Sequence, residues 1–460
     1  MTDSFDVIII GAGPAGIFAA LELSRRGCER VAILDKGPAI EKRACPARLP
    51  GGRCLRCVPC ALLSGWGGAG AFSDGKLTLS PEVGGHLAEY LGEDQARGLI
   101  QEVDDTYVYF GASGPIHGQD GDEIDSLRQR AALADLKLLT VPIRHMGTER
   151  SGDILRAMHE DLAQRHVNIL TRTEVSQILT EANGAAGVVT KDGRTLRARY
   201  VVAAPGREGA TWLTEVAQQL NLPVQPNPVD IGVRVELPAA VLEPLTRLVY
   251  EPKLHYYSRA FDDNVRTFCV CPYGEVVTEY GGEVLTVNGH SYADRRTENT
   301  NFAILVSKNF TEPFREPIAY GKYIARLANL LSGGVMVQRL GDLRQGRRTT
   351  EQRLSRCITR PTLSYAAPGD LGLVLPYRYI VNILEMLEAM DKLAPGVYSR
   401  HTLLYGVEVK YYSSRLKLTN QLETPVRNLF AAGDGAGVTR GLIQASASGL
   451  VVAREILSRQ

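Results

Sequence analysis

Residues 4–35 leave this chain few options. The run SFDVIIIGAGPAGIFAALELSRRGCERVAILD contains an apolar stretch from Val7 to Ile10, then glycines at 11, 13 and 16. A helix-periodic apolar segment follows, and a second apolar stretch ends at Asp35. Strand, tight turn, helix and strand in that order make a dinucleotide-binding βαβ unit. Gly11 permits the turn, Gly13 lets backbone approach a pyrophosphate, and Gly16 allows close helix–strand packing. The helix N-terminus offers N–H groups to the phosphates, and Asp35 stands where a carboxylate accepts from a ribose diol.

The unit also explains the apolar N-terminus, which lacks a basic start and carries Asp3 and Asp6, so it does not read as a secretion signal. No apolar run reaches the roughly 18 residues of a membrane span. A formal net charge of +1 argues against a surface built for nucleic acid or anionic lipid. Four of the eight cysteines crowd between Cys45 and Cys60, which suits a metal or redox site better than a secreted disulfide framework. The expectation is a cytoplasmic protein.

Residues 37–85 are rich in Gly, Cys and Arg and poor in periodicity, the mark of a long functional loop. Helical spacing is expected over 87–109, 124–137, 151–165, 379–392 and 441–458. Between about 207 and 345, runs such as VDIGVRVELP, RTFCVCPYGEVVTEY and NFAILVSKNF alternate apolar and polar residues. They predict a mostly antiparallel sheet, buried on one face. The expected fold class is α/β: a Rossmann-like domain of residues 1–206 and 400–460, interrupted by a sheet-plus-helix substrate domain of residues 207–399.

GAGPAG with Asp35, YVVAAPG at 200–206 and NLFAAGDGAGVTRGLIQASASGLVVA at 428–453 together resemble the two-domain FAD oxidoreductases. Within that superfamily, CPARLPGGRCLRCVPC, GWGGAGAFSDGKLT, RHMGTE, NGHSYADR and AAGDGAGVTRGL are similar to largely uncharacterised FAD-dependent dehydrogenases. The resemblance implies that Asp434 meets the flavin ribityl chain and that the helix after Gly441 points at the pyrimidine edge, favouring charge on the reduced ring. It implies that the stretch holding Gly67, Gly68 and Ala69 lies along the isoalloxazine, where small residues avoid collision. Lys36, Val175, Gly206 and Gly433 complete the implied cofactor contacts.

Cys45, Cys54, Cys57 and Cys60 form a C-x8-C-x2-C-x2-C pattern. It fits zinc or an iron–sulfur cluster, and spacing does not separate the two. GGRCLRCVP also resembles the dithiol element of flavoprotein disulfide reductases, and the third reading is four thiols that order a loop. Asp74 and Lys76 either reach flavin or substrate or form a surface pair. His145 and His290 end strands beside turns, where a histidine can exchange the proton that accompanies hydride transfer. Cys269 and Cys271 alternate along one strand and so share a face, as pocket lining or as core. Seven arginines between Arg339 and Arg360 suit a carboxylate, a phosphate or an electron-carrier protein, or form a solvated face.

The expected activity is FAD-dependent hydride transfer to or from a small organic substrate at the junction of the domains, beneath the strands carrying Cys269 to Glu275 and His290. With no second fingerprint, the flavin is expected to be recharged by transient NAD(P)H binding, by an electron-carrier protein or by oxygen. The rival readings are an electron relay or thiol–disulfide protein with a protein partner, and a flavin-dependent RNA-modifying protein.

Overall fold

Val7, Ile8 and Ile9 are wholly buried, as a strand covered on both faces must be. They belong to Ser4–Ile10 in a computed structural model that describes residues 4–45, 55, 57–73, 75–118, 121–146, 148–182, 184–225, 228–281, 284–291, 295–308, 316–410 and 415–460. The chain divides into one unit of residues 1–115, 143–227 and 412–460 and another of 116–142 and 228–411. The sequence had suggested divisions after 206 and 399. The helix Ala210–Gln219 lies in the first unit, and the segment 116–142 lies in the second.

The first unit is the α/β, Rossmann-like one. Its sheet runs Asn168–Thr171, Val31–Asp35, Ser4–Ile10, Thr195–Ala203, Gly184–Thr190, Val175–Glu181, with Leu429–Ala431 also on Thr195–Ala203. Val7 registers with Val31 on one side and Tyr200 on the other, both parallel, so the helix Pro14–Arg25 is the crossover. Gly184–Thr190 is antiparallel to both its neighbours. All the C-terminal ends of the parallel strands therefore open toward the glycines, where ligands of such sheets sit.

The helical stretch expected over 87–109 is two helices, Leu87–Leu91 and Glu93–Tyr109, because Gly92 at φ 83° cannot continue a right-handed turn. The insert after Asp35 holds short 3₁₀ turns, Ile40–Lys42 and Gly68–Phe72, and the strand Lys76–Thr78.

The second unit is built on a largely antiparallel sheet. Its order is Ala367–Pro368, Met336–Arg339, Leu403–Lys410, Val229–Pro238, Asn299–Lys308, Asn264–Cys271, Lys253–Tyr257, Lys137–Leu139. Val229, Ile231, Val233, Val235 and Leu237 pack on one face with Tyr379, Ile383, Met386 and Leu387 of the helix Tyr377–Leu393. The other face of such a sheet commonly meets water. Instead Asp230, Arg234 and Glu236 are buried, because the hairpin Glu275–Gly281 and Val284–His290 covers much of that face. Alternation reports which residues share a face, not what lies over it.

Candidate functional site

At the C-terminal edge of the first unit's sheet lies a cleft with roughly 1310 Å³ of atom-free space, part of it open to solvent. It is built by backbone. Gly11 sits at φ 110°, and a Cβ there would stand 2.1 Å from the Ala204 carbonyl oxygen, so only glycine fits the turn between the first two elements. Gly13 then caps the helix Pro14–Arg25 with no side chain, at φ −82° and ψ −177°. Across the cleft, Gly441 caps Leu442–Ser458, again with no side-chain cap. Two helix N-termini thus present undonated N–H groups to one space, an arrangement that attracts anionic oxygens.

Of the residues expected to hold cofactor, Gly11, Gly13, Asp35, Lys36, Gly68 and Ala69 line this cleft, and so do Val175, Gly206, Gly433, Asp434 and Gly441. Gly16 and Gly67 stand behind it. A Cβ on Gly16 would come within 2.0 Å of the Gly11 carbonyl, and one on Gly67 within 2.4 Å of the Leu155 side chain. Lys76 also lines the cleft, while Asp74 lies outside the described residues.

Asp35 accepts three backbone N–H groups, from Ala12 at 2.9 Å, Gly37 at 2.7 Å and Gly65 at 2.8 Å. A carboxylate has about four lone-pair sites, so acceptor capacity remains toward the cleft. The same carboxylate ties the glycine turn to the Cys-rich insert.

Asp434 accepts from Thr439 Oγ1 at 2.9 Å and from the Gly441 N–H at 3.3 Å. Poor solvation raises its carboxyl above the ordinary 3.8, while Arg207, Thr439 and Gly441 pull the other way. The folded apoprotein therefore binds this proton more tightly than the unfolded chain. The stability that follows is full below the unfolded value and is lost as pH rises through Asp434's own higher value. Compared with Asp434→Asn, the wild-type apoprotein is expected to lose urea midpoint as pH rises through and above the ordinary aspartate range. Parallel midpoints across that range would contradict the assignment.

Sequence reasoning passed over Arg207, although it directly follows the Pro205–Gly206 strand end, and over Ser64, Thr173 and Trp212, all of which line the cleft. It also missed Arg43, because a lone arginine in a loop gives no pattern. This buried guanidinium donates to the carbonyls of Ala61 at 2.9 Å, Trp66 at 2.6 Å and Leu62 at 2.9 Å, and lies 4.8 Å from the Phe72 ring centroid. Burial lowers it to about 10, with Asp35 and Cys60 drawing it upward.

Arg43→Ala is expected to cost about 2–3 kcal/mol, since three half-buried carbonyls lose their donor. Chymotryptic cleavage at Leu62, Leu63 or Trp66 should accelerate on the order of tenfold. Arg43→Lys should recover little, having no fork to span three acceptors. An unchanged cleavage rate would show that the fork does not hold the insert.

The remaining candidates lie on other elements of the two units. His145 ends the strand Ile143–His145, opposite Lys76 in register, and is not among the residues lining the cleft. His290 ends the hairpin of the second unit, opposite Glu275, and Cys269 and Cys271 lie in that unit. Cys45 and Cys60 are half-buried and Cys57 is exposed, while Cys54 lies outside the described residues. Among the described residues no three His, Cys, Asp or Glu side chains gather as a metal site. In the arginine-rich stretch, Arg347 pairs with Asp342 at 2.9 Å, and Arg339 and Arg353 donate to the carbonyls of Arg353 and Arg348. Among the described residues no helix is long and apolar enough to cross a membrane.

Comparison with known proteins agrees with the geometry. Residues 4–304 match the family described as FAD binding domain, and residues 228–411 match FAD-dependent protein, C-terminal domain-like. The second match has the bounds of the larger segment of the second unit. An uncharacterized protein of Clostridium beijerinckii is 27% identical over 474 positions, covering 98% of this chain and 80% of that one. Among solved structures, L-proline dehydrogenase from P. horikoshii superimposes with a TM-score of 0.42 at 11% identity, covering 100% and 95% of the two chains. Glycine oxidase from Geobacillus kaustophilus gives 0.41 at 14%, covering 100% and 96%. Those superpositions are too loose to transfer a substrate.

Proposed function

Because the chain belongs to the FAD binding domain family, whose match spans more than half of it, we propose that it is an FAD-dependent oxidoreductase acting by hydride transfer on a small organic substrate. The observation that carries this reading is the meeting of two uncapped helix N-termini and Asp434 at one cleft. The residues present fit the cofactor: glycine cradles admit backbone close to a ligand, and the N–H groups of both helices await acceptors. Bound FAD supplies the two-electron chemistry.

The chain's own residues then have separate tasks. The N–H groups following Gly13 hold the pyrophosphate, and Asp35 with its remaining lone pairs takes the ribose hydroxyls. Asp434, fixed by Thr439 and the Gly441 N–H, accepts from the ribityl chain. The N-terminus of Leu442–Ser458 favours negative charge placed against it, and Arg207 adds a cation in the same cleft. Lys76 stands on the cleft wall, where it can hold an anionic substrate group.

The test is anaerobic spectroscopy of the holoprotein with NADH, NADPH and a panel of small amines, hydroxy acids and enones. The flavin bands are expected to bleach with at least one donor and to return with an oxidised partner. A flavin that stays oxidised with every donor would reduce the protein to a flavin-binding module.

A further inference from the structure

The covered polar face of the second unit's sheet contains a feature that the flavin chemistry does not use. Along an ideal strand, residues i and i+2 are about 6.6 Å apart. In Asn264–Cys271 the register against Asn299–Lys308 slips between Phe268 and Cys271, and Cys269 sits at φ 45°. A non-glycine residue in that region is strained and marks a place worth explaining. The bulge brings Cys269 Sγ to 3.9 Å from Cys271 Sγ, closer than the strand spacing gives.

The surroundings of the two sulfurs differ. Cys271 is fully buried, and Arg234 Nη2 donates to its Sγ at 3.2 Å and to the Cys269 carbonyl at 2.7 Å. The guanidinium is itself fixed by Asn301 Oδ1 at 2.8 Å and Glu408 at 3.5 Å, and Lys410 stands 3.1 Å from Glu408. Gly289 of the hairpin leaves room for it: a Cβ there would stand 1.7 Å from Arg234 Nη2. Cys269 is only half-buried. Cys269 is thus the less buried of the two, and Cys271 is hidden beside a cation that favours the thiolate, the form that attacks.

We propose that Cys269 and Cys271 are a redox-active dithiol that exchanges with low-molecular-weight disulfides. The Cys269 thiolate attacks one sulfur of RSSR, forming a protein–S–SR bond and releasing RS⁻. The Cys271 thiolate then attacks Cys269 Sγ, forming the Cys269–Cys271 disulfide and releasing the second RS⁻. Two electrons pass from the dithiol to the small disulfide, and the two thiol protons end on two RSH. This chemistry stands apart from the flavin reading, since it needs no bound nucleotide.

Sequence makes the test direct, because the tryptic peptide from Thr267 to Arg295 contains these two cysteines and no other. The full-length protein is equilibrated in glutathione buffers of increasing oxidised fraction, quenched in acid, alkylated and digested. The wild-type peptide is expected to shift from dialkylated to unalkylated and two hydrogens lighter. Cys271→Ser should trap a glutathione adduct on Cys269, and Cys269→Ser should leave Cys271 unmodified, the two yields differing roughly tenfold or more. A wild-type peptide that stays dialkylated in the most oxidising buffer would overturn the proposal, as would equal adduct yields in two folded variants. Should either variant misfold, the wild-type titration decides alone.

Discussion

Gly13→Asp is expected to yield a folded, colourless protein. A Cβ at Gly13 has open space, its nearest neighbour being the Gly68 Cα at 4.0 Å, and φ −82° is available to any residue. Aspartate is moreover a favoured N-cap, whose carboxylate accepts from the second or third N–H of the helix. Apoprotein stability should therefore stay within about 0.5 kcal/mol of wild type or rise slightly. The same hydrogen bonds withdraw the donors that the pyrophosphate needs and place a like charge beside it. A loss of about 4 kcal/mol in FAD affinity, roughly a thousandfold, is the expected result. Gly13→Asn, a neutral N-cap, should fall between the two. The paired readout is the thermal midpoint of apoprotein beside FAD affinity by fluorescence quenching; a Gly13→Asp protein that binds FAD like wild type would contradict the role assigned to this helix.

Gly449→Val is expected to fail in the opposite way, through the fold. Gly449 lies in the helix Leu442–Ser458, where a Cβ would stand 2.1 Å from the Ala15 carbonyl oxygen and 3.0 Å from the Ala19 nitrogen. Both atoms are backbone of Pro14–Arg25 and cannot swing aside. The helices must separate, at a cost of roughly 3 kcal/mol or more. That cost corresponds to a fall in thermal midpoint on the order of 10 °C for a unit of this size. FAD should weaken as well, since both N-termini of the cleft move with their helices. Wild-type midpoint and affinity in Gly449→Val would show that the helix contact does not set the cleft.

The two variants also mark what a sequence can disclose. The glycines at 11, 13 and 16 were legible because their spacing between a strand and a helix is itself a short-range pattern, whatever each one packs against. Asp434 and Gly441 were legible through a resemblance that carries their neighbours with them. Gly449 was not, although its packing is as tight, because its partner Ala15 is hundreds of residues away in sequence. Arg43 was hidden for a related reason: its acceptors are carbonyls of Ala61, Leu62 and Trp66, and carbonyls have no residue signature.

In the second unit the apolar set Val229, Ile231, Val233, Val235 and Leu237 predicted a strand with one face in the core. The alternate set is largely polar, and polar residues usually face water. Its burial follows from the hairpin 275–290, and with it come the Arg234–Glu408 pair and the position of Cys271. Alternation at Cys269 and Cys271 predicts only a shared side. The bulge that brings the sulfurs together was beyond reach, since it shows only in the pairing with Asn299–Lys308.

The central claim is that the cleft between the two uncapped helices is an FAD site, and calorimetric titration of deflavinated wild-type protein with FAD tests it most directly. The account predicts one FAD per chain, return of the yellow chromophore, and markedly weaker binding of FMN, which lacks the adenylate half that the first helix and Asp35 would hold. A folded apoprotein that releases no heat with FAD and stays colourless would contradict it.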